Sequence, residues 1–198
     1  MAVASPAVPA TDPDITPDTK DWTWVLDEGC PECGFDTRRV ARGDIPDVVT
    51  ANASAWPDVL ARPDVAVRAR PGVWSPLEYA CHVRDVFDIF TRRLRLMLAE
   101  EDPLFDNWDQ DTTAIEDDYA AQDPTQVAAQ LAGAAKGAAA AFAAVPDEAW
   151  SRTGRRSDGA RFTVESLGRY FVHDPEHHLW DVRGSTAWAP PGRQPPTD

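Results

Sequence analysis

The apolar residues divide the chain into four long segments with helical spacing. In "PDVVTANASAWPDVL", Pro46 suits a first helical turn, and Val48, Val49, Ala55, Val59 and Leu60 form an apolar stripe. Pro57 is placed to kink this helix or end it early. The clearest pattern is "WSPLEYACHVRDVFDIFTRRLRLMLAEED". Ser75, Pro76 and Glu78 there make a capping box, and Leu77, Ala80, Val83, Phe87, Phe90, Leu94 and Met97 follow at spacings of three and four. A third helix, "DPTQVAAQLAGAAKGAAAAFAAV", opens on Asp123 as cap and Pro124, and its alanines allow close packing. Thr163 caps a fourth helix over Val164 to Val182. Before it, "SRTGRRSDGARFT" is polar and irregular, with "SDG" reading as the turn of a small hairpin. Four helices with one long connection, residues 101–122, predict an all-α four-helix bundle.

The ends differ from this pattern. Residues 1–20, rich in Pro, Asp and Thr, read as a disordered tail without the basic start and apolar run of a signal peptide. Residues 21–37 form an extension carrying C-x-x-C, 38–184 the bundle, and 185–198 a Pro-rich tail. Composition narrows the classes further. The 198 residues carry a formal charge of −14, which argues against nucleic acid and anionic membrane as partners. The most apolar stretch, "LAGAAKGAAAAFAAV", is too short and too rich in Ala for a membrane span. Three cysteines in such a chain fit a reducing compartment, so a cytoplasmic location is expected.

Three of the four histidines fall in "FVHDPEHHLWDV". On a helix, His173 and His177 share a face, and His82 on the second helix can meet them if the two helices are neighbours. Three imidazoles with an open position make a catalytic type of zinc site, and nickel or iron would also accept them. His178 points about 100° away from His177 and is expected to support the site or lie on the surface. Asp174 and Asp181, four from His178 and His177 respectively, are candidates to orient an imidazole through its other nitrogen. Pro175 either starts a helix, which would put His173 outside it, or interrupts a continuous one; the stripe through Val164, Leu167 and Phe171 favours the second. Trp74, Tyr79, Trp108 and Tyr170 are candidate pocket aromatics. Asp109 and Asp111 read as loop charges, and "TRRLR" and "RTGRR" as local basic clusters open to an anion. "CPECG" is the turn of a zinc knuckle or a dithiol. Cys30 and Cys33 could join two histidines, but His173 and His177 are assigned to the first site, which leaves the pair as a second thiol site.

The combination of "WSPLEYACHVRDV", "DNWDQD", "DGARFTVESLGRYFVHD" and "HHLWDV" resembles the DinB superfamily, within it the proteins related to bacterial thiol S-transferases and the mycothiol-dependent maleylpyruvate isomerase. That resemblance implies an up-down-down-up four-helix bundle, usually dimeric, and a divalent metal on three histidines, here His82, His173 and His177. It implies a metal-dependent enzyme acting on a small molecule. The first expectation is S-transfer from a low-molecular-weight thiol that the metal activates to thiolate. The alternatives are a hydrolase with metal-activated water and a non-catalytic metal- or ligand-binding protein of stress response or regulation.

Overall fold

The computed structural model describes residues 15–16 and 20–190. Most of the tail expected over 1–20, and residues 191–198 of the Pro-rich tail, lie outside the described residues. The four expected helices are α1 (Ile45–Leu60), α2 (Pro76–Ala99), α4 (Pro124–Ala143) and α5 (Val164–Arg183). Their ends follow the capping chemistry. Ser75 Oγ accepts from the Glu78 N–H at 3.3 Å while the Glu78 carboxylate accepts from the Ser75 N–H at 2.7 Å. Asp123 accepts from the Gln126 N–H at 2.9 Å, and Thr163 from the Ser166 N–H at 3.0 Å. Gly184, at φ 74°, closes α5 in the left-handed conformation that a side chain disfavours.

Neither internal proline ends its helix. Pro57 lies within α1 and Pro175 within α5, so His173 is helical. Beside Pro175, α1 reaches across to α5. Asn52 of α1 donates through Nδ2 to the Pro175 carbonyl at 2.8 Å and to Glu176 Oε1 at 3.0 Å.

α1 and α2 each pack against both α4 and α5, and touch one another less. The first two long helices, consecutive in the chain, are therefore not close neighbours, whereas α2 lies beside both α4 and α5. Their common core centres on Phe171. Its ring stacks on Phe90 at 5.0 Å and on Phe142 at 5.4 Å, and meets Phe87 edge-on at 5.9 Å. At Gly168 the backbone of α5 comes close to α1 and α4: a Cβ there would stand 2.5 Å from Ile45 Cδ1 and 3.0 Å from Phe142 Cε1. Gly168→Ala is expected to lose about 1–3 kcal/mol to overpacking and regain about 1 kcal/mol of helix propensity. The net loss, on the order of 1 kcal/mol, would show as a lower midpoint in denaturant unfolding; an unchanged or higher midpoint would count against this tight approach.

The chain is not wholly α. The long connection holds a two-residue strand β1 (Leu104–Phe105), the short helix α3 (Gln110–Glu116) and a 3₁₀ turn at Tyr119–Ala121. The expected hairpin is present as β2 (Thr153–Arg156) and β3 (Arg161–Thr163), antiparallel with Gly154 opposite Phe162. β1 adds to β2 in parallel, with Phe105 opposite Arg156. A two-residue strand whose partner lies far along the chain has no period to read in the sequence. Asp109, expected as a loop charge, caps α3 by accepting from the Thr112 N–H at 2.9 Å.

The N-terminal extension and the residues that join it to α1 pack on α5 through three 3₁₀ turns, Trp22–Leu26, Thr37–Arg39 and Arg42–Asp44. Val25 and Val40 are fully buried, the Thr37 hydroxyl donates to the Val25 carbonyl, and Arg169 Nε of α5 donates to the Val40 carbonyl at 3.0 Å. Among the described residues, no helix is long and apolar enough to cross a membrane.

Candidate metal centre

α5 presents two overlapping pairs at i, i+4 spacing, and they face different elements. Among the described residues, two groups of His, Cys and Asp side chains bring donor atoms within 4.8 Å of one another: His82 with Asp174 and His178, and His173 and His177 with Cys30 and Cys33. The expected set of His82, His173 and His177 is neither of these. The one-residue offset along α5 rotates the two pairs by about 100°. Asp174 and His178 turn toward α2 and meet His82; His173 and His177 turn toward the N-terminal extension.

The first group is built on His82, which is fully buried. Its Nε2 lies 3.2 Å from Asp174 Oδ1, and His178 Nε2 lies 3.7 Å from the same oxygen. These spacings suit donors around one cation, since ligand atoms at ~2.0–2.1 Å in tetrahedral array stand about 3.3 Å apart. His178, expected to support the site or lie on the surface, belongs to the group itself, as does Asp174, expected to orient an imidazole. Asp181, expected as a support four residues from His177, has its carboxylate 3.0 Å from His178 Nδ1, placed to accept that N–H and aim Nε2 inward. Three aromatic rings hold His82. Trp108 stacks on it at 5.1 Å, Trp74 lies against it at 5.2 Å, and the His178 ring meets it edge-on at 4.8 Å. Trp108 is fixed in turn by donating to Thr113 Oγ1 of α3 at 2.7 Å. His82 Nδ1 is buried with no hydrogen-bond partner among the described residues, a cost tolerated most often where a group has another task.

Protonation suits metal binding. Burial pushes His82 down, so its imidazole is neutral at neutral pH and keeps an electron pair for a cation. Burial alone would raise Asp174, but the adjoining His82, His178 and His173 and the bond to His82 outweigh it and hold its carboxyl below the usual range. The group therefore offers two nitrogen donors and one anionic oxygen, a combination used by zinc and by non-haem iron.

Two cavities adjoin Asp174. One, of ≈ 190 Å³, is lined by Trp74, Tyr79, Tyr170, His173, Asp174, His177 and His178, among others. The other, of ≈ 890 Å³, is lined by Trp108, Tyr170, Asp174, Arg93 and Arg156, among others, with Asp109 and Asp111 also on its wall. All four expected pocket aromatics thus line one cavity or the other. The arginines come one from each basic cluster. Arg93, buried against Phe90 and Phe105, donates to the Asp106 carbonyl at 2.9 Å. Burial and the nearby Arg156 push it down to about 10, and it remains a cation at neutral pH. Arg156 pairs with Asp158 at 2.8 Å and donates to the Tyr170 hydroxyl at 3.2 Å. No spacing along the chain could have joined these two arginines, because the β1–β2 pairing and α2 place them.

The second group has Cys30 Sγ 3.7 Å from His177 Nδ1 and Cys33 Sγ 3.8 Å from His173 Nε2. Burial pushes the Cys33 thiol up to about 12, unlike a reactive free dithiol, and the cysteines are not joined in a disulfide. Burial likewise lowers His173 to about 4 and depresses His177, keeping both imidazoles neutral. The signal for this group was present in the sequence, since C-x₂-C and H-x₃-H are metal-ligand spacings.

A four-helix bundle with histidine and carboxylate donors gathered between its second and last long helices defines a class, and sequence comparison agrees with it. Residues 47–182 match the model of the DinB superfamily, and the chain belongs to that family. A solved structure, YfiT from Bacillus subtilis, described as a probable metal-dependent hydrolase with an unusual four-helix bundle topology, shares the fold with a TM-score of 0.66. It is 21% identical, and the match covers 72% of this chain and 84% of that one. No curated protein matches the sequence.

Proposed function

We propose that this chain is a metal-dependent enzyme acting on a small anionic molecule, with a divalent cation held by His82, Asp174 and His178. The observation that carries this reading is the place of Asp174. Its carboxylate lies beside the His82 and His178 imidazoles and also faces two cavities, so a cation bound to it would be open to a ligand from either. A cation there supplies Lewis acidity, enough to bring the pKa of water from about 15.7 to near 7 and to ionise a thiol more readily still.

The chain's own residues do the rest. Trp74 and Trp108 cover His82 and keep bulk water from it. Asp181 holds the His178 ring in position. At the other end of the larger cavity Asp158 pairs with Arg156, whereas Arg93, which donates to the Asp106 carbonyl, forms no ion pair among the described residues and has positive charge to offer a carboxylate or phosphate. Two cavities meeting at one donor group favour a reaction between two small molecules. This supports S-transfer, with a low-molecular-weight thiol in one cavity and an electrophile in the other. Hydrolysis is the second reading, favoured by the donor set itself, because two nitrogens and one carboxylate also serve zinc hydrolases.

The test is turnover of a panel of electrophilic and ester substrates, with and without divalent cation and with and without thiol. S-transfer requires both additions. Turnover without thiol would reject transfer in favour of hydrolysis. Turnover unaffected by removal of all metal would overturn the whole reading, and a metal-loaded protein inert across the panel would point to a binding protein. Arg93→Met is expected to raise KM about tenfold for an anionic substrate, the value of one charge-assisted hydrogen bond, and to leave a neutral analogue unchanged. An equal rise for both would restrict Arg93 to holding the Asp106 loop.

A further inference from the structure

We propose that Cys30, Cys33, His173 and His177 form a second, closed metal site, selective for zinc, that fastens the N-terminal extension to α5. All four donors are in place. Their atoms lie within 4.8 Å of one another, and each sulfur has a ring nitrogen at 3.7–3.8 Å. Sulfur and nitrogen on one tetrahedral zinc, at ~2.3 and ~2.0–2.1 Å from the ion, stand about 3.6 Å apart. The elements that carry them are shaped for this. Cys30 and Cys33 sit on a tight turn in which the Gly34 N–H donates to the Cys30 carbonyl and the Cys30 N–H to the Phe35 carbonyl, both at 2.9 Å. Gly34, at φ 74°, allows the chain to leave that turn in a left-handed conformation that other residues resist. His173 and His177 are one helical turn apart on α5, across from it.

The surroundings fit a cation rather than a dithiol. His177 turns Nδ1 to Cys30, and its other nitrogen, Nε2, faces Glu32 Oε2 at 3.5 Å and Asp181 Oδ1 at 3.9 Å. A carboxylate behind the far nitrogen of a ligating histidine is the usual arrangement for orienting it. Glu32 belongs to the C-x-x-C turn itself, so the turn supplies two sulfurs and this support together. Trp22 covers both imidazoles, with centroids 5.5 Å from His173 and 5.1 Å from His177. Four protein donors complete a tetrahedron and leave no position for substrate, which separates this site from the three-donor group at Asp174. Two thiolates and two imidazoles are soft ligands that favour zinc over magnesium, calcium or manganese. On binding, each thiol releases its proton to solvent, and the two thiolate charges balance the divalent ion. Zinc here would fix the stretch of α5 whose adjoining face carries Asp174 and His178, giving the extension a structural part in the open site.

The full-length chain, freed of metal and titrated with cobalt(II), tests this. One equivalent should give the intense visible absorption of tetrahedral cobalt with a near-ultraviolet thiolate-to-cobalt band. The band should persist in Asp174→Asn, which damages only the open site, and disappear in Cys33→Ser. Wild-type protein without the thiolate band, or Cys33→Ser retaining it in full, would overturn the proposal. Should Cys33→Ser fail to fold, X-ray absorption of the zinc-loaded wild type decides. Two sulfurs at ~2.3 Å with two nitrogens support the site, and a shell of nitrogen and oxygen alone refutes it. A protein that shows the band but no metal-dependent turnover would retain this site while losing the proposed enzyme activity.

Discussion

Asp174→Asn is expected to weaken divalent-metal binding at the His82 group, and any turnover that depends on it, by at least about a hundredfold. The magnitude follows from comparison. Loss of a residue that merely orients a ligand reduces affinity or activity about 10–100-fold, and Asp174 is placed as a ligand. The amide keeps the size of the carboxylate but removes the negative charge between two imidazoles, 3.2 Å from His82 Nε2 and 3.7 Å from His178 Nε2. Isothermal titration of the metal, together with steady-state rates, would measure the effect. Folding should be little changed, because the shape is kept. A variant with wild-type metal affinity would place the cation elsewhere. His173→Ala compared with His178→Ala then separates the arrangements, since only the set of His82, His173 and His177 requires the first substitution to damage the open site directly.

Phe171→Ala is expected to destabilise the fold by about 3–5 kcal/mol, a large part of a typical domain's stability. Phe171 is fully buried and touches aromatic rings from α2 and α4 at once, Phe87, Phe90 and Phe142. Removing it leaves a cavity at the point where the helices converge, and rings stacked on several sides cannot easily close over it. Chemical denaturation would read the loss as a lower midpoint with a similar slope. A loss under about 1 kcal/mol would mean that the core can collapse around the gap and is less tightly packed than the ring distances indicate.

The long helices were legible because each announces itself locally. Ser75, Asp123 and Thr163 cap them, Pro76 and Pro124 start two of them, and the apolar stripes run at three and four. The parts that were not legible depend on pairing at a distance. β1 is two residues long and acquires its identity only from β2. Trp108 lies over His82 because α3 and Thr113 hold it there.

The histidines show the same division within a single helix. Read strictly, the stripe Val164, Leu167, Phe171 continues at spacings of three and four to Asp174 and His178, not to His173 and His177. The pair in line with the apolar stripe is therefore Asp174 and His178, whereas H-x-x-x-H spacing singles out His173 and His177. His173 and His177 lie on the adjoining face, which the N-terminal extension covers.

The sequence by itself determined the helices, their caps, the residue types able to bind metal and their spacing of one helical turn, because all of these arise from interactions among near neighbours in the chain. Only the tertiary structure decided which donors meet: His82 with Asp174 and His178, Cys30 and Cys33 with His173 and His177, Arg93 with Arg156. A rotation of about 100° per residue divides α5 into faces, and what covers each face is settled by packing between segments far apart in sequence.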